Sequence, residues 1–280
     1  MRSSRKMKEP KAGIASAAIP AEALEHAFPR LALPIRPPYP PAEAKPVKEL
    51  PRSTGWLYEP KWDGFRCLAF RSGDEVALQS KAGQPLTRYF PEIVAALLAL
   101  PAHKFVLDGE IVVRGQGPRG RATLDFDALL QRIHPAASRV QRLAHETPAA
   151  YLIFDLLVDE KGKLIVDQPL SARRMKLQKL AERCLAKRAR IELSPASADF
   201  STAEKWMREG AANGWDGVVA KRLDCEYTSG ERTGMVKVKR IRTADCVVGG
   251  FRWARGGENK SGTGRKKKLG EEIGSMLLGL

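Results

Sequence analysis

Acidic side chains are scarce in this chain: 32 Asp and Glu stand against 48 Lys and Arg, a formal charge of +16 at neutral pH. That deficit excludes an acidic, self-solvating chain and favours a polyanionic partner, nucleic acid first, through counterion release. A basic surface kept only for solubility is the plainer alternative. Cysteine is equally sparse. Cys67, Cys184, Cys225 and Cys246 lie far apart with no Cys-x-x-Cys pair, which excludes a disulfide scaffold and reads as reduced thiols in a cytosol. His26, His103, His134 and His145 show no metal-ligand spacing, so a zinc site is excluded. No apolar run approaches a membrane span, and residues 1–11 lack the apolar core of a secretory signal, so no membrane partner is expected. There is no Gly-x-x-x-x-Gly-Lys-Ser/Thr phosphate loop. One Gly-x-Gly-x-x-Gly, from Gly115 to Gly120, contains Pro118 and lacks a surrounding parallel βαβ unit, so it reads as a loop.

What is present divides the chain in three. Ten of the nineteen prolines fall in residues 1–51, and the first dozen residues are strongly basic. Residues 1–45 therefore read as a disordered, Pro-rich basic arm. From Trp56 the pattern becomes globular. Strands are expected at 56–58, 65–70, 76–79, 105–113, 151–158, 217–220 and 235–238, with the two longest apolar enough to be central. Pro91 suits the first turn of a helix striped by Ile93, Val94, Leu97 and Leu98. Ser171 is expected to cap a second helix, with Leu170 and Met175 as its hydrophobic staple. Ser201 and Glu204 form a capping box for a third, buried through Ala203, Trp206, Met207, Gly210 and Ala211 and ended by Gly214. Helices do not alternate regularly with strands, so the class is α+β with mostly antiparallel sheets. After Thr243 two strands, 246–252 and 273–280, flank a basic loop; alone they cannot close a barrel.

The chemistry centres on Lys61-Trp62-Asp63-Gly64-Phe65-Arg66, which sets an amine beside a carboxylate, a glycine and a fixed cation. An ordinary lysine, with pKa near ~10.4, is protonated and inert at neutral pH. Desolvation and the cations Lys237, Lys239 and Arg66 would make it nucleophilic; a solvated loop is the bland reading. Lys237 and Lys239, spaced i, i+2, share one strand face, which fits phosphate binding and equally an edge strand. Glu110 and Asp216 are carboxylates inside apolar strands. Either they pair with basic residues or they hold a hard cation. Phe154 ends an apolar strand as a stacking ring or a core aromatic.

In order, the segments are Lys61 to Arg66, Ser80-Lys81-Ala82-Gly83, Leu107-Asp108-Gly109-Glu110, Phe154-Asp155, Asp216 to Lys221, and Val236-Lys237-Val238-Lys239. Together they resemble the covalent nucleotidyltransferase superfamily of ATP-dependent polynucleotide ligases and messenger-RNA capping enzymes. Residues 55–70 and 78–91 look most like the small bacterial ATP-dependent DNA ligases of the repair and end-joining group. The resemblance implies a nucleotidyltransferase (ATP-grasp-like) core of antiparallel sheets flanked by helices over residues 46–242. An incomplete OB-fold would follow over 243–280, truncated before the family's last basic motif. It implies ATP as nucleotide, with Mg2+ or Mn2+, and Lys61 as the amine that becomes adenylylated. Glu59 would read the purine edge, Phe154 stack on adenine, and Arg66 grip ribose or phosphate. Glu110 would reach ribose and metal, Asp216 the metal, Lys237 and Lys239 the phosphates, and Asp63 help position DNA ends. Relatives often carry Glu at the Asp216 position and Arg at the Lys81 position. The implied partner is nicked double-stranded DNA, with end-joining or repair proteins, for a monomer in a bacterial cytoplasm at the nucleoid. The alternatives are an RNA ligase or capping-type guanylyltransferase, and a DNA-binding remnant of weak activity.

Overall fold

A computed structural model describes residues 27–117, 120, 122–185, 190–240, 246–253 and 273–279. The larger of its sheets is built on β3 (Phe65–Ser72), which pairs antiparallel with β4 (Glu75–Ser80) and with β5 (Lys104–Gln116). Next comes β7 (Ala149–Val158), antiparallel to β5, then short β8 (Ile191–Leu193), parallel to β7; β6 (Ala122–Leu124) adds to the far end of β5. Every residue of β7 is buried, as its unbroken apolar run requires of a strand covered on both faces. The two faces separate cleanly by alternation. Cys67, Ala69, Leu107 and Ile153 pack against α1 (Pro91–Leu98) and α4 (Leu170–Cys184), through Ile93, Leu97, Leu177 and Leu180. Leu68, Phe70, Val106 and Leu157 pack against Phe28, Leu31, Leu33, Ala42 and Tyr227.

That second face corrects the expected boundary of the N-terminal arm. Within residues 27–44, Phe28, Leu31, Leu33 and Ala42 are buried against the sheet's back face, which among the described residues takes its apolar cover from this Pro-rich segment rather than from a helix. Residues 1–26 lie outside the described residues.

The smaller sheet runs β1 (Lys45–Pro46), β10 (Met235–Lys239), β9 (Trp215–Arg222), β2 (Trp56–Trp62), antiparallel except for the β1–β10 pair. Its outer face is covered by α5 (Phe200–Asn213), with Ala203, Trp206 and Met207 against Tyr58, Val218 and Ala220. Two shorter helices, α2 (Phe126–Leu130) and α3 (Ala137–Glu146), complete the first unit.

Two helix starts differ from expectation. Helix α4 begins one residue before Ser171, and the N–H groups of Leu170 and Ser171 donate to the carbonyls of Cys225 and Leu223 at 2.9 Å each. A tertiary loop thus replaces the side-chain cap, and Met175 points outward, 53% exposed, so no staple forms. For α5 the cap is Asp199, whose carboxylate accepts from Ser201 N–H and Thr202 N–H; Gly214 ends the helix in the left-handed conformation, φ 82°. The side chain of Ala211 lies outside the described residues.

Residues 240–280 form a separate unit. Its described part is the antiparallel hairpin β11 (Val247–Trp253) and β12 (Ile273–Gly279), with the Phe251 and Trp253 rings 4.9 Å apart, edge to face. The basic cluster 265–268 and residues 118–119 of the glycine-rich loop lie outside the described residues.

Candidate active site

Lys61 stands where the chain leaves one sheet for the other. The pairing of β2 with β9 slips between Pro60 and Trp62: Pro60 faces Val218, whereas Trp62 faces Trp215. Asp216 and Gly217 on β9 therefore share the single position opposite Lys61, a bulge of the kind that re-aims a side chain. The result is an ion pair, Lys61 Nζ to Asp216 Oδ1 at 2.6 Å, with both side chains partly open to solvent. Gly217 permits the bulge to lie flat on β10; a Cβ there would sit 2.0 Å from the Val238 carbonyl oxygen. Two residues past Lys61, Gly64 closes the turn into β3, and a Cβ on it would meet the Ile111 carbonyl oxygen at 2.3 Å.

A cavity of about 190 Å³ opens beside this turn, lined by Glu59, Lys61, Arg66, Glu110, Phe154 and Lys237 among others. Six of the sequence-predicted residues therefore converge. Asp216 joins through Lys61. Lys239 does not line the cavity: it is exposed at the end of β10, although on the same face as Lys237. The cations expected to surround the Lys61 amine are also arranged differently, because its direct neighbour is a carboxylate and Arg66 is committed elsewhere.

Arg66 lies opposite Glu110 on the β3–β5 ladder and forks onto Asp108, Nε to Oδ1 and Nη2 to Oδ2, both at 2.6 Å. Asp108 is fully buried and also accepts from the Tyr227 hydroxyl at 2.7 Å. That hydroxyl in turn accepts the Ala42 N–H at 3.1 Å. Burial pulls the Arg66 guanidinium down, but Asp108 more than reverses this and holds it raised, a fixed cation at any working pH. Glu59 is buried, with Oε2 2.7 Å from Lys221 Nζ and Oε1 3.7 Å from Arg174 Nη1. Over the Phe154 ring lie Lys221 Nζ, 4.3 Å from the centroid, and the Arg66 guanidinium at 4.6 Å.

Burial pushes the Glu110 carboxyl up to about 8, against the downward pull of Arg66 and Lys61. Lys237 is lowered by burial first, then by Lys81, Lys239 and Lys61. A divalent cation would find hard oxygen donors in Glu110 and Asp216. Glu110 makes no ion pair to a described residue, and a half-buried acid carrying so raised a pKa has counter-charge still to gain. Among the described residues no three His, Cys, Asp or Glu converge. The donors present fit a cation that takes much of its coordination from phosphate and water.

Tyr227 and Glu43 escaped the sequence reading, and Lys221, which ends the segment from Asp216, was given no role in it. Lys221 had a signal, since alternation along β9 puts it on the face of Val219, which also lines the cavity. Glu43 and Tyr227 sit in irregular segments with no period to read.

With this geometry in hand, the family model described as "ATP dependent DNA ligase domain" matches residues 41–239. DNA ligase C2 of Mycolicibacterium smegmatis is 46% identical over 253 residues, 89% of this chain and 63% of that protein. The chain belongs to the ATP-dependent DNA ligase family. A further family member, DNA ligase C of Mycobacterium tuberculosis, is 44% identical, covering 89% of this chain and 64% of its own length. This ligase-family chain thus spans a little under two thirds of those relatives. Among solved structures, mycobacterial DNA ligase D complexed with ATP and MES superposes with TM-score 0.55 at 27% identity, covering 86% of this chain and 67% of that one. The ligase domain of M. tuberculosis LigD gives 0.56 at 28%, covering 76% and 64%. The nucleotidyltransferase core expected for ligases is therefore the fold observed. No helix among the described residues is long and apolar enough to cross a membrane.

Proposed function

We propose that this chain is the adenylylating part of an ATP-dependent DNA ligase, with Lys61 as the covalent carrier of AMP. The observation that carries this reading is the Lys61 amine at the edge of a cavity of about 190 Å³, 2.6 Å from the Asp216 carboxylate. The amine attacks the α-phosphorus of ATP, the P–N bond forms, and pyrophosphate leaves with the electron pair of the broken P–O bond. Asp216, 2.6 Å from the amine, would accept the ammonium proton as the amine becomes a nucleophile. Arg66, locked by Asp108, grips ribose or phosphate without reorganising. Phe154 stacks on adenine, Glu59 reads the purine edge, and Lys237 and Lys239 draw the phosphates. Glu110 and Asp216 would hold Mg2+ or Mn2+, which when bound neutralises charge on the phosphates. AMP then passes to the 5′-phosphate of a nick in duplex DNA, and the 3′-hydroxyl displaces it to seal the strand. Asp63, on the turn after Lys61, helps to position the DNA ends.

The names of the relatives support a DNA rather than an RNA substrate, while the net charge of +16 supports a nucleic acid of either kind. A likeness at 29% identity to a multifunctional non-homologous end joining protein, LigD, supports a repair or end-joining setting, and we propose a monomer acting in the cytoplasm at the nucleoid. We propose residues 1–26 as a basic arm and residues 243–280 as the opening strands of an OB-fold. Incubation with α-labelled ATP should label wild type covalently, and Lys61→Ala should take no label. Undiminished label on Lys61→Ala would overturn the reading. Capture of label from GTP but not ATP would point instead to a capping-type enzyme.

A further inference from the structure

Four of the five cations that line the cavity are each held by their own acid: Lys61 by Asp216, Arg66 by Asp108, Lys221 by Glu59 and Lys81 by Glu43. Three of these acids lie on strands of the two sheets. Glu43 does not. It belongs to the segment that walls the cavity ahead of β1, tied down through its own N–H to the Glu231 carbonyl at 2.8 Å. Its carboxylate is shared between two chains of cationic reach, with Oε1 3.1 Å from Lys81 Nζ and Oε2 3.2 Å from Arg232 Nε. Both partners are more than half exposed, 54% for Lys81 and 64% for Arg232. Lys81 and Glu43 line the cavity with Lys237, a lysine without a carboxylate in ion-pair range among the described residues. Lys81 holds the Glu43 carboxyl below the usual range, so it is a full anion near neutral pH. The Glu43 carboxylate thus stands between Lys81, which lines the cavity, and Arg232, which does not, where a phosphate could meet the same two cations.

We infer that Glu43 is a displaceable counter-charge, which holds Lys81 and Arg232 until a phosphate group takes its place and re-pairs with them when that phosphate leaves. This rests on the adenylylation reading for its purpose, not for its test. An exposed pair of this kind is weak enough to exchange, and a phosphate oxyanion offers the same cations stronger, charge-assisted bonds. The phosphate could be pyrophosphate departing from ATP or the 5′-phosphate of a DNA end. Glu43 would speed the release of whichever it is.

Calorimetric titration of the full chain separates the cases without needing catalysis, using inorganic pyrophosphate and nicked duplex with or without a 5′-phosphate. Glu43→Gln should tighten binding roughly two- to fivefold, the scale of one or two exposed ion pairs. Lys81→Ala should weaken it, and Glu43→Gln added to Lys81→Ala should return little of the gain. A gain confined to pyrophosphate assigns the pair to the leaving group; one confined to the 5′-phosphorylated duplex assigns it to the DNA end. Unchanged or weaker binding of both ligands by Glu43→Gln, at an unchanged melting temperature, overturns the inference. If Glu43→Gln melts early, Glu43→Asp carries the test: it should give a smaller gain of the same sign, and none defeats the proposal. Failure of α-labelled ATP to mark wild type would count against adenylylation while leaving these titrations readable.

Discussion

At the scale of single residues, the site is a set of paired charges whose worth lies in position. Tyr227 is the clearest case, because its hydroxyl joins Asp108 to the Ala42 backbone and thereby fixes the acid that holds Arg66. Tyr227→Phe leaves the ring in place and the Asp108 oxygen short of one donor. We expect a loss of about 1.5–3 kcal/mol in urea unfolding, the cost of one bond to a buried charge, with weaker ATP capture. Gly217→Ala drives a methyl into the Val238 carbonyl and should destabilise by about 1–3 kcal/mol while reducing label on Lys61 through the displaced Asp216. Label at wild-type level would show that the bulge does not set the geometry. Glu110 adds a pH dependence. Its carboxyl is raised from 4.5 to about 8, so the folded state holds the proton more tightly than the unfolded chain. That contribution is fully present below the ordinary value and is lost as pH climbs towards 8. Unfolding free energy should therefore fall between about pH 5 and 8 in wild type and stay flatter in Glu110→Gln, as read by urea titration at both pH values.

At the scale of elements, the periodic strands were legible in the sequence, and so were Pro91 in the first turn of α1 and Gly214 at the end of α5. Each of those signals is local. The start of α4 was not legible, because the partners of its first N–H groups come from residues 223–225, far along the chain. Asp199 was missed beside Ser201 because both are good caps, and only backbone geometry decides which of the two sits outside the helix. The candidate site divides the same way. Glu110 and Phe154 stand in recognisable strands and Lys61 in a recognisable hexapeptide, although β2 runs on through it rather than ending at 58; Glu43 reaches the cavity on a segment whose prolines suggested no fold at all. An equally hidden device anchors α4 to β7: Arg173 forks onto Asp155 at 2.9 and 3.0 Å, both buried. Arg173→Met would strand the Asp155 charge and should cost about 3–5 kcal/mol in chemical denaturation, whereas replacing both partners by apolar residues should recover much of that.

At the scale of the whole molecule, the surplus of +16 predicts how the chain meets DNA. Affinity for nicked duplex should fall on the order of a thousandfold between about 50 and 200 mM salt, if several phosphates are neutralised. A flat salt profile would leave the basic surplus to solubility alone. The hydrogen bond from Ala42 to Tyr227 spans 185 positions of sequence, and the cavity is walled at once by residues 41–44 and by β10. Such distant closure is slow to form and comes late. During synthesis, then, the ribosome must release almost the entire core before there is any cleft for a nucleotide to enter. A nascent ligase-family chain of this design has no complete cleft until β10 has left the ribosome and met residues 41–44.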